Sequence, residues 1–486
     1  MRSRVLHLAV AVAVVGSWAG CLPAVEVEEG PQYLTDSHGA SGVVHAFLEL
    51  SKTSPEYARY WKESLDWLIH VAERDDQGRM AWVMSTSAPK GHWHSKINVA
   101  GSCHILRMFF AGYKASGDER YKRAALAGVR AFTERFGRQE ATRLGTAWRW
   151  SHGYRPNDTS PGMLAGHSHG LGNPIDVLLD AYEATGDERY ADPLRGLLVN
   201  LRIRGQETRV DGQTLIAWPA LKNPDVVETG YCYGQAGLVL PLLRLAEAMP
   251  DLRLSDGTTA LSLASANLRY LMSVARPKGD GYVWPYMRHD KTSRNVGYGS
   301  GTGGIGWAFL RGAQVNRKTN PAFAKECMRY ARGAVGYATD IVLGYKGEGP
   351  LTSAGGDGGF GVCGGAGGGG HLLMLYAQDV GDAEPDLVKR CNAAIERIAR
   401  LVAASAETLA DGTKAIPDRG HFGKVNIALD YGQTGVVLGL AWAGRYLEDE
   451  KILATARRVA DYIVKRAVEE GGGLKFAQFH PLPEAV

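Results

Sequence analysis

The chain contains 486 residues, of which 45% are hydrophobic and 22% are charged, and this composition excludes a disordered protein. A mean hydropathy of −0.19 excludes a polytopic membrane protein. The net charge is only +4, with no run of basic residues, so no nucleic-acid partner is expected.

The first residues have the pattern of an export signal. Arg2 and Arg4 precede an apolar run that ends at Val15, and small residues follow. This pattern predicts a signal peptide over residues 1–20, a linker over 21–32, and export to the periplasm or the extracellular space. The segment before Cys21 resembles a lipoprotein cleavage box, so a lipid anchor at Cys21 is one expectation. Cleavage without lipid attachment is the alternative, and such an anchor is the only membrane contact expected.

Five further cysteines follow, an odd number, so at least one thiol stays free or binds something. They are Cys103, Cys232, Cys327, Cys363 and Cys391. A chain of this length buries a large core without covalent staples, so a disulfide framework is not expected.

A short glycine-rich motif recurs seven times at spacings of 59 to 72 residues, and each copy leads into an apolar segment. The copies occupy residues 39–42, 98–101, 170–173, 234–237, 301–304, 365–368 and 432–435. Segments that are apolar nearly all round predict helices buried on most sides. The sequence therefore predicts seven buried helices.

A turn and a second, amphipathic helix follow the buried helix. Gly117-Asp118 and Gly186-Asp187 are typical of a turn in which glycine ends one helix and aspartate caps the next. Seven such hairpins close most economically into a ring. We therefore predict an all-α protein, an α/α toroid of seven helical hairpins in one domain over residues 33–475. A tail over 476–486 follows, and the protein is expected to be a monomer.

Short β-like runs precede the buried helices and are expected at one rim of the ring. Their Ala-Trp or Val-Trp pairs end at Trp82, Trp148, Trp218 and Trp284. Long loops gathered at one rim often carry function. The alternative is that each tryptophan pins its loop against the neighbouring repeat.

Seven hairpins with Gly-x-x-Gly before the inner helix resemble the lanthionine synthetase C-like family. The resemblance implies an α/α toroid with zinc at its centre, held by a Trp-Cys-x-Gly motif in the fifth repeat and a Cys-His-Gly motif in the sixth. It also implies a His-Gly motif in the fourth repeat that acts on protons.

This chain departs from that pattern at three positions. The fifth repeat has Gly299 in place of cysteine, and the fourth has Tyr233 in place of histidine. The sixth keeps Cys363 but lacks the histidine after it. Zinc needs three or four ligands, so no cofactor is expected. A rebuilt metal site that includes Cys363 and His371, with His169, is the remaining alternative.

Residues just before the buried helices are the candidates for a functional site. The candidate catalytic residues are His169, His94, Tyr233, Asp357 and Asp430, and the candidate substrate-binding residues are His92, Trp93, Trp148, Trp150, His167, Tyr231 and Tyr431. The histidines with Tyr233 suit acid–base chemistry. Asp357 and Asp430 suit the two carboxyls of a hydrolase, and aromatic rings suit sugar faces.

Three functions are compatible with these residues. The first is an exported protein that binds or acts on carbohydrate in the central cavity, in the manner of a polysaccharide lyase or glycoside hydrolase. The second is a non-catalytic binding or scaffold toroid that has lost its metal. The third is a zinc-dependent enzyme that modifies peptides with shifted ligands, including Cys232 and Cys363. The expected ligand is therefore a carbohydrate or a peptide.

Overall fold

The fold is described from a computed structural model, which covers residues 39–82, 99–150, 165–168, 170–219, 225–286, 296–347, 360–417, 424–430, 432–476 and 479–481. The predicted signal peptide, linker and Cys21 lie outside the described residues. Within them, no helix combines the length and apolar character that a membrane span requires.

Seven buried helices begin at the seven glycine motifs, as the repeat predicts. They are α1 (Ala40–Leu50), α3 (Val99–Ser116), α5 (Gly172–Thr185), α7 (Ala236–Ala248), α9 (Thr302–Asn316), α11 (Ala366–Val380) and α13 (Gln433–Leu447). Their apolar side chains are almost fully buried, which identifies them as the inner helices of the fold.

Seven more helices alternate with the inner ones in the described chain. They are α2 (Ala58–Val71), α4 (Glu119–Arg130), α6 (Ala191–Arg204), α8 (Ala260–Val274), α10 (Pro321–Gly344), α12 (Pro385–Ser405) and α14 (Glu450–Val464). Each packs against the inner helix before it as a hairpin. The predicted turn is confirmed at Gly117, whose φ of +71° is left-handed, and at Asp118, whose side chain accepts a hydrogen bond from the Arg120 N–H.

The inner helices form a closed ring, because each packs against the next and α13 packs against α1. The Tyr57 hydroxyl strengthens this closure by donating to the Asp461 carboxylate across 2.6 Å, which joins the first repeat to the last. The predicted fold class, an all-α toroid of seven hairpins, is confirmed.

Short antiparallel strand pairs follow six of the outer helices in the described residues. The pairs are β1–β2 (Glu73–Arg74, Met80–Ala81), β3–β4 (Arg138–Thr142, Gly145–Arg149), β5–β6 (Gln206–Val210, Gln213–Ala217), β7–β8 (Arg276–Lys278, Gly281–Val283), β9–β10 (Glu407–Thr408, Lys414–Ala415) and β12–β13 (Val468–Glu470, Gly473–Lys475). β13 packs on α2, which closes the ring on its outer side too. Part of the predicted tail is ordered, since β14 (Phe479–Pro481) pairs with β11 (Lys424–Asn426).

The loop tryptophans attach their loops to the preceding helical segments by hydrogen bonds. The indole N–H of Trp82, Trp150, Trp218 and Trp284 each donates across 2.8 Å to a backbone carbonyl in the preceding helical segment. The repeating position in the second repeat is thus Trp150 rather than Trp148, which the Ala-Trp pattern had selected.

The last glycine of the motif has no room for a side chain, because a backbone carbonyl oxygen lies close to it. A Cβ atom on Gly237, Gly304 or Gly435 would lie within 2.1 Å of the carbonyl oxygen six residues earlier. This contact folds the segment before each inner helix tightly against the helix start. The same segments carry the candidate site residues.

Candidate functional site at the centre of the ring

Backbone hydrogen bonds join the segments before successive inner helices. The Cys232 N–H donates to the Gly299 carbonyl across 2.8 Å, and the Gly299 N–H donates to the Cys363 carbonyl across 2.7 Å. The Cys363 N–H then donates to the Asp430 carbonyl across 3.3 Å. We call these contacts the turn ladder. It places equivalent residues of different repeats side by side around the ring axis.

One row of the ladder carries hydroxyl, thiol and carboxyl groups. It comprises Ser168, Cys232, Gly299, Cys363 and Asp430, each five residues before the last position of its motif. The Ser168 hydroxyl donates to the Cys232 sulfur across 3.5 Å. The Cys232 and Cys363 sulfurs lie 3.4 Å apart. We call this set the thiol row.

Every repeat also contributes one or more rings to an aromatic belt inside the toroid. The belt comprises His45, His104, His167, Tyr231, Tyr298, Trp307, His371 and Trp442. Its members come from the segments before the inner helices and from one face of those helices. The belt is therefore a product of ring closure and does not belong to any single repeat.

The belt rings contact one another in sequence around the axis. Tyr231 lies between His167, at a centroid distance of 4.7 Å, and Tyr298, at 4.3 Å. On the other side, His371 stacks on Trp442 at 4.2 Å. Several of these rings are only partly buried, so they keep accessible aromatic surface.

Two belt histidines are held neutral by their surroundings. Burial lowers the pKa of His371 to about 4, and the charge of His45 acts in the same direction. Burial also lowers the pKa of His167 to about 4, against the opposing effect of Asp176. A neutral imidazole near pH 7 suits hydrogen bonding and stacking better than proton storage.

A charged wall lies next to the belt, on α3, α5 and α7. Asp176 accepts from His167 Nε2 at 2.9 Å and lies 3.2 Å from both Arg107 Nη1 and Arg244 Nη1. Arg244 Nη2 also contacts Asp180 Oδ1 at 2.6 Å. Burial alone would raise the pKa of Asp176, but Arg107 and its other partners hold it below the ordinary value. Burial dominates at Asp180 and raises its pKa.

A protonatable carboxyl, that of Glu228, lies four residues before Cys232, in the segment that leads into inner helix α7. The Tyr286 hydroxyl donates to Glu228 Oε2 across 2.8 Å. Burial raises the pKa of Glu228, and the Tyr286 hydrogen bond only partly offsets this effect. Burial also raises the pKa of Tyr286, and the charge of Glu228 and the hydrogen bond to it act in the same direction. Such a carboxyl is suited to deliver a proton.

The structure places some of the predicted site residues in this region. His167 and Tyr231 belong to the belt, Tyr233 packs against the Tyr231–Cys232–Cys363 cluster, and Asp430 ends the thiol row. The other predicted residues at this rim lie outside the described residues. They are His92, Trp93, His94, His169, Asp357 and Tyr431.

Trp148 and Trp150, which were predicted as substrate-binding residues, lie elsewhere. Trp150 is 0% exposed and has no face to present to a ligand. Trp148 lines a cleft of about 890 Å³ between outer helical segments, with Tyr190 and Arg195. Neither belongs to the central site that we describe.

Sequence reasoning missed Trp307, Trp442, Glu228 and the charged wall. A signal was present, because His45, His104, Asp176, Trp307 and His371 all lie three residues after the last motif position. Residues at one fixed offset in equivalent helices face the same direction. The site residues predicted from the sequence lie instead before the inner helices.

The zinc site that the resemblance implies was tested against these residues. A structural or catalytic zinc needs at least three protein ligands. Cys232 and Cys363 are close together, but no group of three or more potential ligands occurs among the described residues. Cys363 pairs with Cys232, and His371 packs on Trp442 with its Nδ1 lacking a hydrogen-bond partner in the described chain. The described residues therefore do not fit a zinc site.

Comparison with known proteins supports the fold. No protein-family profile matches the sequence, and no curated protein matches it. Nisin cyclase has a similar structure, with a TM-score of 0.51 and 15% identity over 93% of this chain and 98% of that chain. The GH76A alpha-1,6-mannanase from Salegentibacter sp. HEL1_6 is less similar, with a TM-score of 0.42 and 14% identity over 86% and 99% of the two chains. The expected resemblance to the lanthionine synthetase C-like fold is confirmed.

Proposed function

We propose that this protein binds carbohydrate inside the ring and acts on it there. The observation that carries the proposal is the aromatic belt, to which all seven repeats contribute. Sugar rings present apolar C–H faces that pack on aromatic rings, and their hydroxyls need hydrogen-bonding groups at the edge. The belt provides aromatic rings for the apolar faces of a sugar. The neighbouring charged wall of Arg107, Asp176, Asp180 and Arg244 provides hydrogen-bonding groups for its hydroxyls.

Glu228 is the proposed proton donor. Its partly buried carboxyl has a raised pKa and is oriented by the Tyr286 hydroxyl. Tyr233 lies next to the same cluster and is the proposed partner in proton transfer. Asp430 is a candidate second carboxyl. The predicted roles of His94, His169 and Asp357 remain part of this proposal, and the expected export of the chain is compatible with a polysaccharide ligand.

Activity on polysaccharides tests this assignment. Purified protein is incubated with uronic-acid polymers and with neutral polysaccharides, and unsaturated products and new reducing ends are measured. If Glu228 is the proton donor, Glu228→Gln lowers turnover about 100-fold or more. Binding should persist, because the amide keeps the size of the side chain.

Glu384 provides the matched control. It accepts a hydrogen bond from the Tyr376 hydroxyl at 3.0 Å, as Glu228 does from Tyr286, but it also pairs with Arg332 and lies at the start of outer helix α12. Glu384→Gln should leave turnover unchanged. Equal losses in the two variants would contradict the role of Glu228. Binding without any turnover would favour a non-catalytic binding toroid.

The zinc-dependent alternative rests on the 3.4 Å distance between the Cys232 and Cys363 sulfurs. It makes a separate prediction, namely stoichiometric zinc in the purified protein. Elemental analysis of protein prepared without chelators measures this directly. Zinc that is lost in a Cys232→Ser variant would favour the alternative over the carbohydrate proposal.

A further inference from the structure

The five cysteines of the described residues fall into two groups by exposure. Cys103, Cys327 and Cys391 are 0% exposed, whereas Cys232 is 7% exposed and Cys363 is 9% exposed. Burial raises the pKa of all three enclosed thiols, that of Cys391 to about 11. Because the thiolate is the reactive form, these three cysteines are inert.

Cys232 and Cys363 form a close pair in the thiol row. Their sulfurs lie 3.4 Å apart. A disulfide bond is about 2.05 Å long and joins Cβ atoms about 3.8 Å apart, so bond formation requires the sulfurs to approach by about 1.35 Å and the Cβ atoms to come within this range. The space beside them depends on Gly299. A Cβ atom there would lie 2.3 Å from the Cys363 sulfur and 2.7 Å from the Cys232 sulfur.

We propose that Cys232 and Cys363 form a reversible, redox-active disulfide at the centre of the ring. The oxidant is a small-molecule disulfide such as glutathione disulfide. One cysteine thiolate attacks it and displaces one glutathione thiolate, and the second cysteine thiolate then attacks the mixed disulfide and displaces the other. The two cysteines lose two electrons and two protons. The oxidant is reduced to two thiols, which take up the protons.

The turn ladder explains why this bond would be easy to reduce. Gly299 lies between the two cysteines and is hydrogen-bonded to the backbone of each. Bond formation must therefore draw the fourth and sixth repeats together across the intervening fifth. A disulfide formed against such a restraint is strained, and strained disulfides have more oxidising potentials than structural ones.

Thiol titration of the folded protein tests the proposal. The protein is equilibrated with glutathione disulfide, quenched with acid, and titrated after denaturation. The number of free thiols should fall by two and peptide mapping should join Cys232 to Cys363. Reduced glutathione should restore both thiols. The Cys232→Ser variant should not form this bond, whereas Cys327→Ser should still form it.

A second variant tests the geometry without removing a thiol. Gly299→Ala places a methyl group against both sulfurs, so it should slow oxidation at least tenfold while circular dichroism reports an intact fold. An unchanged thiol count in folded wild-type protein would overturn the proposal. So would a disulfide that joins other cysteines, or a tightly bound metal that protects the pair from oxidation. All of these outcomes are measured without a carbohydrate assay. Failure of the disulfide proposal can therefore be distinguished from failure of the proposed function.

Discussion

The imidazole of His371 stacks on the indole of Trp442, with the ring centroids 4.2 Å apart and the planes at 18°. The contact joins inner helices α11 and α13. It also leaves His371 Nδ1 buried without a hydrogen-bond partner in the described chain. The pair is thus one link of the aromatic belt and a place where a ligand could supply a missing hydrogen bond.

The first prediction concerns acid stability. In the folded protein, burial lowers the pKa of His371 to about 4, whereas the ordinary pKa of histidine is 6.5. The unfolded chain therefore takes up protons first. The contribution of neutral His371 to the free energy of unfolding is fully present above about pH 6.5. It is lost as the pH falls toward 4. His371→Phe should reduce the slope of the unfolding free energy in this window by up to about 1.4 kcal/mol per pH unit.

Urea unfolding at several pH values measures this slope. His70→Gln is the control, since His70 is exposed on outer helix α2. An identical pH dependence in wild type and His371→Phe would show that the belt histidine is not held neutral by burial.

The second prediction concerns the charged wall. Asp176→Asn removes a buried charge that contacts both Arg107 and Arg244, and it leaves Asp180 as their other shared partner. Loss of one partner of a buried ionic network typically costs about 3–5 kcal/mol, and we expect a loss of this size in chemical denaturation. The matched control is Asp192→Asn, which breaks an exposed ion pair with Arg195. This change should cost less than about 1 kcal/mol. Similar costs at both sites would contradict the assignment of Asp176 as a buried counter-charge.

The third prediction concerns the repeated glycine motif. A Cβ atom on Gly304 would lie 2.1 Å from the Tyr298 carbonyl oxygen. Gly304→Ala should therefore destabilise the protein by about 3 kcal/mol, because backbone must move. A Cβ atom on Gly336, in outer helix α10, would meet no neighbouring side chain or element within 4 Å. Gly336→Ala should instead stabilise the protein by about 0.5–1 kcal/mol through helix propensity. Thermal unfolding of both variants distinguishes these outcomes, and a stable Gly304→Ala protein would refute the close contact.

The fourth prediction concerns the belt as a binding surface. Trp307→Ala and Trp442→Ala each remove a large ring from the interior, so each should weaken carbohydrate binding about tenfold, which corresponds to about 1.4 kcal/mol. Isothermal titration with an oligosaccharide identified by the activity screen measures the change. Trp148→Ala, on the outer cleft, is the control for loss of an indole. Weakened binding in the Trp148 variant alone would move the site to the outside of the ring.

The ring could be predicted from the sequence because the same local signals recur along the chain. Seven glycine motifs and the recurrent Gly-Asp turn are local signals, and they fix the helix starts and the reversals between helices. Closure followed from burial, since seven apolar helices have no other economical arrangement. The fold therefore required no knowledge of long-range contacts.

The site was only partly predictable, because its groups meet through packing. Cys232 and Cys363 are 131 residues apart in sequence, and their 3.4 Å contact depends on the turn ladder. Trp148 and Trp150 are both candidates by sequence, yet hydrogen bonding to the Phe132 carbonyl places Trp150 in the core. The position of Trp307 becomes informative only when equivalent helices are compared at the same offset from the motif, and Trp442 lies at a different offset.

The proposed binding of carbohydrate inside the ring, against the aromatic belt, is tested by a crystal structure of the protein with an oligosaccharide selected by the binding screen. We expect a sugar ring packed on Trp307 or Trp442, with its hydroxyls within hydrogen-bond distance of the charged wall or Glu228. A sugar bound in the outer cleft beside Trp148, with the ring interior unchanged, would contradict it.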